Sequence, residues 1–296
     1  MNKSNFAFFG TQDVASETLQ ILKENGYLPS LIITSPDKPQ GRKMLITPPP
    51  VKVWAEKNKI PYIQPENQAE LLPYVRHRGN SPMSDIGEGK NFDLFIIVAY
   101  GKILPEEILN IPKYGSINIH YSLLPKYRGA SPVESAILNG DTETGITIQK
   151  MTYKMDSGPI IATEKTAIPP DEKAPELRTR LIKIGGELLI KILPDLADEK
   201  IKEVPQDESK ATYCAKIKKE DGLLDLDDDA VKNYNKFRAY AHWPRTFFFS
   251  AKGGSASGGK DGKRIIVTDA ALQDGKFVIK KVIPESGKEI DYKNFG

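Results

Sequence analysis

Cysteine, histidine and long apolar runs are scarce in this 296-residue chain, and each shortage removes a class of function. The single cysteine, Cys214, excludes an intramolecular disulfide and a cysteine-based metal site, and its simplest role is to fill a small space. The three histidines, His77, His120 and His242, lie too far apart in sequence for a zinc-ligand spacing. We therefore expect a protein that needs no metal ion.

Signals for membrane insertion and secretion are also missing. No stretch approaches the ~20 apolar residues that span a bilayer, and the apolar start runs into a Gly-Thr turn without a cleavage pattern. The composition, 39% hydrophobic and 27% charged, is typical of a globular protein with a substantial core. The sequence thus predicts a cytoplasmic protein with no membrane partner. Because no apolar stripe demands a partner subunit, we expect a monomer.

Charge is distributed unevenly along the chain. Residues 230–296 contain 13 Lys and Arg against six Asp and Glu, a net charge of +7, whereas residues 1–206 are neutral with 25 of each. A basic C-terminal third suits a phosphate-rich partner. A solvated lysine-rich surface explains the same counts equally well, so charge alone leaves the partner open.

Short apolar runs alternate with helical patterns in the N-terminal part of the chain. The runs are "NFAFFG", "LPSLIITSPD", "DLFIIVAYG" and "GSINIHY", with helical segments such as "DVASETLQILKEN" and "VKVWAEKNK" between them. This alternation predicts an α/β domain with a Rossmann-like open sheet, whose ligands bind at the carboxyl ends of the strands. The first loop, "FFGTQD", lacks the G-x-G-x-x-G fingerprint, so a dinucleotide site is unsupported.

The segment that follows the fourth run contains signals for a helix. Ser131 can cap it, Glu134 can complete a capping box, and Gly140 can end it. Two further strands, "TGITIQKM" and "GPIIATEKTAI", and a long amphipathic helix come next.

The C-terminal part has a different pattern. Residues 196–211 are polar and charged, as in a linker, and short strand-like runs follow around turn signals. We therefore predict three parts: a catalytic domain over residues 1–195, a linker over 196–211, and a small OB-like β-barrel over 212–296. Trp243 is expected to pack inside that barrel.

The residues best suited to chemistry are Asn118, His120 and Asp156. Asn118 and His120 are two apart at a strand end, where side chains share a face, and Asp156 lies between the next two predicted strands. An amide stabilises a developing oxyanion, and a carboxylate orients a histidine and favours its charged form. No serine or cysteine is paired with the histidine. The set favours acyl transfer to an amine supplied by a substrate; a strand end that is merely polar is the alternative.

At this point a resemblance becomes visible. The segment "NIHYSLLPKYRG", followed by "TGIT" and "DSG", resembles the signature of the 10-formyltetrahydrofolate-dependent formyltransferases. The resemblance implies that Asn118, His120 and Asp156 are catalytic and that 10-formyltetrahydrofolate is the formyl donor. It also implies that two segments border the folate pocket: Ile97, Val98, Ala99 and Tyr100, and Ser122, Leu123, Leu124 and Pro125. Tyr121 stands where the family commonly has a small residue.

The substrate is indicated by a second segment. "PDKPQGRK", with "PPPVKVW" and "QPE" after it, is similar to the family members that formylate methionyl-tRNA for translation initiation. There an inserted loop reaches the tRNA acceptor arm, which implies that Arg42 and Lys43 contact initiator methionyl-tRNA. Arg128 either clamps an anion or holds its loop, and we favour holding. The alternative function is N-formylation of a sugar nucleotide or of glycinamide ribonucleotide, which needs neither this loop nor a basic barrel.

Overall fold

The computed structural model describes residues 5–41, 43–76, 91–250 and 262–295. Two residues discussed above, Arg42 and His77, lie outside the described residues. The chain divides into two compact units. The first unit comprises Met1–Pro125, Ile146–Glu164 and Leu181–Ala211, and the second comprises Lys126–Gly145, Lys165–Arg180 and Thr212–Gly296.

Helices and strands alternate along the described chain. The strands are β1 (Phe6–Gly10), β2 (Leu31–Ile33), β3 (Lys38–Gln40), β4 (Leu45–Thr47), β5 (Tyr62–Ile63), β6 (Leu94–Val98), β7 (Ser116–His120), β8 (Arg128–Gly129), β9 (Glu143–Lys150), β10 (Ile160–Ala167), β11 (Tyr213–Cys214), β12 (Phe247–Ser250), β13 (Lys263–Gln273), β14 (Lys276–Ile283) and β15 (Ile290–Asp291). The α-helices are α1 (Asp13–Glu24), α2 (Pro50–Asn58), α3 (Gln68–Val75), α4 (Glu106–Leu109), α5 (Pro132–Leu138), α6 (Ala174–Ala197) and α7 (Ala230–Ala239). Short 3₁₀ helices cover Glu208–Lys210, Lys219–Gly222 and Tyr292–Asn294.

A seven-stranded sheet has the strand order β10-β9-β7-β6-β1-β2-β5. Strands β5, β2, β1, β6 and β7 run parallel to one another, and β9 runs antiparallel to β7. All five residues of β1 and of β6 are buried, as expected for parallel strands covered on both faces. The predicted open α/β sheet is therefore confirmed, and its four apolar runs are β1, β2, β6 and β7.

The neighbours of β7 determine what surrounds its carboxyl end. On one side, β6 pairs Ile97 with Asn118. On the other side, β9 pairs Gln149 with Asn118 and Thr147 with His120. Residues directly opposite each other on adjacent strands project from the same face of a sheet. The two candidate catalytic residues of β7 thus share a face with two polar residues of β9.

Helix α5 begins differently from the prediction. The expected capping box of Ser131 and Glu134 is wrong, because neither side chain bonds to the helix N-terminus. The Ser131 hydroxyl donates instead to the carbonyl of Ala215, and Glu134 forms an ion pair with Arg178. The predicted end of the helix is confirmed by Gly140, which has φ of +70° just beyond the last turn.

The second unit contains a four-stranded antiparallel sheet in the order β12-β13-β14-β15. Helix α7 packs on this sheet through an apolar cluster that includes Tyr234, Phe237, Phe248, Val267 and Val282. The prediction of a small β domain after the α/β sheet is confirmed. The prediction that Trp243 packs inside it is wrong, since that side chain is 51% exposed.

Candidate active site

Asn118 and His120 lie at the carboxyl end of β7, as the sequence predicts. His120 is almost completely buried, whereas Asn118 is half-buried. The Asn118 side-chain amide donates a hydrogen bond to the backbone carbonyl of Ile97 at 3.0 Å, which fixes its orientation against β6. An amide group has two N–H donors, so this contact occupies one of them.

Asp156 is brought to the same place by the turn after β9. Its Oδ2 lies 3.6 Å from Nδ1 of His120, a separation within ion-pair range but longer than a direct hydrogen bond. The backbone of Asp156 has φ of +48°, an uncommon conformation for a residue other than glycine. The fold thus joins a histidine and a carboxylate that the sequence separates by 36 residues.

Gln149 is a site residue that the sequence reasoning missed. It is 2% exposed on β9, and its Nε2 donates a hydrogen bond to Oδ1 of Asp156 at 3.0 Å. Asp156 therefore contacts His120 through one carboxylate oxygen and Gln149 through the other. The pattern Thr147-Ile148-Gln149, polar at every second position in an apolar strand, was a sequence signal for a polar face.

Gln206 is a second residue that was missed, because the sequence assigns it to a linker. Its Nε2 donates to the backbone carbonyls of Asp156 at 2.9 Å and Gly158 at 2.7 Å, and it lies 3.3 Å from Oε1 of Gln149. The stretch that carries Gln206 is attached to β10 by two backbone hydrogen bonds between Val204 and Ile160. Part of the predicted linker therefore forms hydrogen bonds with the turn that carries Asp156.

The loop after β7 is held by a buried threonine. The Oγ1 of Thr147 accepts a hydrogen bond from the N–H of Leu124 at 3.0 Å and donates one to the carbonyl of Ser122 at 2.8 Å. Ser122 and Leu124 are buried, while Leu123 and Pro125 are partly exposed. The segment Ser122 to Pro125 is thus attached to the strand that faces His120.

The other predicted folate segment, Ile97 to Tyr100, covers the end of β6 and the turn after it. Ile97 and Val98 are buried in the strand, and Ala99 leaves it with φ of +45°. Burial raises the pKa of Tyr100 to about 12, and its ring packs edge-on against Phe9 at 5.4 Å. Tyr100 is therefore a buried, uncharged side chain at the end of β6.

A cavity of about 510 Å³ lies beside Tyr100, within the usual size range of small-molecule sites. Its wall includes the apolar side chains of Leu71 and Leu104 and the ammonium group of Lys102. The Nζ of Lys102 donates to the carbonyls of Pro65 and Glu66, and burial together with nearby Lys38 lowers its pKa. Glu66, Asn67 and Gln68 also line the cavity, so its wall combines apolar, polar and oppositely charged residues.

The predicted tRNA loop is a β-hairpin formed by β3 and β4. Lys43 is exposed in its turn, and the side chains of Met44, Leu45 and Ile46 after it are exposed as well. The described residues of the turn and of β4 thus present a cation and three apolar side chains to solvent.

Arg128 follows the same loop but lies in the second unit. Its side chain is 0% exposed, and its guanidinium carbon lies 6.0 Å from the centre of the Tyr213 ring. Strand β8, to which it belongs, pairs with β11. Complete burial is what the loop-holding role requires and what an anion clamp on the surface would not have.

Together these features define the class of protein. An amide donor, an imidazole and a carboxylate meet at the carboxyl end of β7 in an open α/β sheet, and the three side chains include no serine or cysteine nucleophile. These groups are suited to a group-transfer enzyme, which stabilises an oxyanion while one substrate attacks the other.

Comparison with known proteins identifies the group that is transferred. The family model described as "Formyl transferase" matches residues 3–193, and the one described as "Formyl transferase, C-terminal domain" matches residues 216–296. The chain belongs to the formyl transferase family.

Curated relatives and solved structures agree with this assignment. The methionyl-tRNA formyltransferase of Caldicellulosiruptor saccharolyticus is 41% identical over 82% of this chain and 75% of the relative. That of Citrifermentans bemidjiense is 36% identical over 100% of this chain and 93% of the relative. An N-formyltransferase from Helicobacter canadensis, solved with folinic acid and dTDP-3-aminofucose, has a TM-score of 0.64 at 18% identity. It covers 97% of this chain and 100% of that chain, which shows a shared fold.

The described residues contain neither a membrane-spanning helix nor a metal-binding cluster. Within the part of the chain that the structure describes, none of the helices combines the length and hydropathy of a membrane span. Among the same residues, no group of three or more His, Cys, Asp or Glu side chains is arranged to hold a metal ion.

Proposed function

We propose that the protein transfers the formyl group of 10-formyltetrahydrofolate to the α-amino group of methionyl-tRNA, which prepares the initiator tRNA for translation. The observation that carries this proposal is the approach of Asp156 to His120, 3.6 Å apart, on the strand that also presents Asn118. It is supported by curated relatives of this activity that match most of the chain.

The catalytic roles follow from the chemistry of the three side chains. The amine of methionyl-tRNA attacks the formyl carbon, and negative charge develops on the formyl oxygen. The second N–H of Asn118 and the protonated imidazole of His120 donate hydrogen bonds to that oxygen. Asp156 stabilises the positive charge on His120 and helps to move the amine proton toward the departing nitrogen of the donor.

The formyl donor is held by the two segments beside the site. Ile97 to Tyr100 and Ser122 to Pro125 would enclose its ring system, and the cavity beside Tyr100 is large enough to accept the rest of the molecule. This arrangement puts the reacting carbon near the carboxyl end of β7, where Asn118 and His120 lie.

The tRNA is assigned to two basic features. Arg42 and Lys43, which come between β3 and β4 in the sequence, contact the acceptor arm, and the net charge of +7 over residues 230–296 attracts the phosphate backbone. In this scheme residues 1–195 carry catalysis, residues 196–211 connect, and residues 212–296 bind tRNA. The protein acts in the cytoplasm as a monomer.

The direct test mixes the protein with 10-formyltetrahydrofolate and methionyl-tRNA and measures N-formylmethionine after hydrolysis of the ester. Turnover is expected, and it should fall about 10²- to 10³-fold in His120→Ala, the usual cost of one oxyanion donor. A parallel reaction offers a dTDP-linked amino sugar, because the similar fold from Helicobacter canadensis was solved with such a compound. Formylation of the sugar but not of methionyl-tRNA would replace this proposal by the alternative function.

A further inference from the structure

Two glutamines contact Asp156, one at its carboxylate and one at its backbone. Gln149 donates from Nε2 to Oδ1 of Asp156 at 3.0 Å, and Gln206 donates from Nε2 to the backbone carbonyl of Asp156 at 2.9 Å. The two glutamines also contact each other, with Nε2 of Gln206 lying 3.3 Å from Oε1 of Gln149. The side chain and the backbone of Asp156 are thus held by one connected set of amide contacts.

The position of Gln149 makes its contact specific. It is the register partner of Asn118 on β9 and is buried, so its side chain has little freedom to turn away. With Oδ1 of Asp156 engaged by Gln149, Oδ2 is the oxygen that faces Nδ1 of His120. A neutral amide fixes the carboxylate without neutralising its charge, which a lysine or an arginine here would do.

Gln206 acts on the backbone of the same turn. Asp156 has φ of +48°, in the left-handed region that residues other than glycine rarely adopt. The contacts of Gln206 reach the carbonyl of Asp156 and that of Gly158 two residues further on. Gly158 is itself packed tightly, since a Cβ there would lie 1.7 Å from the carbonyl oxygen of Lys150. Close packing at Gly158 therefore restricts the conformation of the turn, and Gln206 forms hydrogen bonds with two of its carbonyls.

We propose that Gln149 and Gln206 are positioning residues that direct the Asp156 carboxylate at His120. This inference rests on the proposed catalytic role of Asp156. Gln149 orients the carboxylate, and Gln206 holds the backbone turn that carries it. Neither residue needs to touch a substrate, so the two should govern the rate of the chemical step and leave the binding of both substrates unchanged.

The experiment compares kcat and both KM values for Gln149→Met, Gln206→Met and Asp156→Asn. Gln149→Met is expected to lower kcat about 10- to 100-fold, the range for loss of a hydrogen bond to a charged group. Gln206→Met, which loses bonds to neutral carbonyls, is expected to lower kcat about 3- to 10-fold, and both KM values should stay within twofold in both variants. Gln20→Met on α1, which loses the hydrogen bond that Nε1 of Trp54 on α2 donates to Gln20, is the matched control and should keep normal kcat.

A double-variant cycle separates positioning from a general effect on the fold. If Gln149 acts through Asp156, Gln149→Met should slow the Asp156→Asn enzyme by less than twofold, whereas an independent structural defect would lower both rates equally. Gln149→Glu provides a second variant of nearly the same shape. It sets a carboxylate against Asp156 and is expected to lower kcat at least as far as Gln149→Met.

The possible failures are distinguishable. If the glutamine variants keep kcat within twofold of wild type while Asp156→Asn loses about 100-fold, the positioning role is wrong and the proposed function stands. Equal losses from Gln149→Met in both backgrounds would also overturn the positioning role. If Asp156→Asn itself keeps normal turnover, the proposed role of Asp156 fails, and the inference fails with it.

Discussion

Thr147 and Leu124 are joined by a hydrogen bond of 3.0 Å, in which the backbone N–H of Leu124 donates to Oγ1 of Thr147. The same hydroxyl donates to the carbonyl of Ser122 at 2.8 Å. Thr147 is fully buried and is the register partner of His120. The side chain of Thr147 therefore connects the proposed folate loop to β9, the strand that pairs with His120.

Replacing Thr147 by valine tests this connection. Thr147→Val keeps the shape but leaves the N–H of Leu124 and the carbonyl of Ser122 without their partner, which should lower the free energy of unfolding by about 1–3 kcal/mol. KM for 10-formyltetrahydrofolate should rise about tenfold, equivalent to 1.4 kcal/mol. Thr147→Ser retains the hydroxyl and is the control. Equal KM values in the two variants would contradict the assigned role of the loop.

Asn118 provides the second test. In Asn118→Ala the oxyanion loses one donor, so kcat should fall about 10²- to 10³-fold while KM for methionyl-tRNA changes little. Single-turnover measurements with preformed complex isolate the chemical step. Asn110→Ala, an exposed asparagine of the same unit, should have the wild-type rate. A variant of Asn118 with a raised KM and normal kcat would make this residue a binding group instead.

Lys43 tests the proposed role of the hairpin. Removing one phosphate contact in Lys43→Ala should weaken tRNA binding and reduce the dependence of log K on log salt by about 0.7–0.9. KM for the formyl donor should not change. Lys183→Ala, which removes an exposed lysine from α6, is the control with an unaltered salt slope. Identical tRNA binding by the Lys43 and Lys183 variants would show that the hairpin turn does not touch the nucleic acid.

Stability at high pH is the fourth test. Burial, followed by the hydrogen bond to Asp171, raises the pKa of Tyr234 to about 12. Between its ordinary value of about 10 and this value, the unfolded chain has released the phenolic proton and the folded chain has kept it. The unfolded state then binds fewer protons, so the free energy of unfolding falls as pH rises.

The variant Tyr234→Phe removes this contribution. Between pH 10 and 12 its free energy of unfolding should fall less steeply with pH than that of the wild type, by up to one proton or about 1.4 kcal/mol per pH unit. Urea denaturation at several pH values measures the slope. Tyr153→Phe, which changes an exposed tyrosine, should leave it as in the wild type. An unchanged slope in Tyr234→Phe would show that this proton is not retained on folding.

The comparison of sequence and structure separates local features from long-range ones. The pairing of Asn118 with His120 was predictable because two residues at strand spacing share a face wherever the strand goes. The capping box of α5 was predicted from an equally good local pattern and is wrong, because the hydroxyl of Ser131 finds the carbonyl of Ala215, distant in sequence. Trp243 was predicted to pack inside the C-terminal barrel, yet its side chain is exposed in the turn after α7.

The sequence by itself determined the alternation of helices and strands, the strand ends that carry chemistry, and the family signature. These features depend on side-chain periodicity and on residues close together in the chain. Only the tertiary structure decided which oxygen of Asp156 faces His120, that Gln149 bonds to the other oxygen, and that Gln206 bonds to the backbone carbonyl of Asp156. Those contacts arise from the antiparallel register of β9 on β7 and from the return of residues 204–206 to β10. Both depend on residues distant in the chain, so the periodicity of the sequence does not predict them.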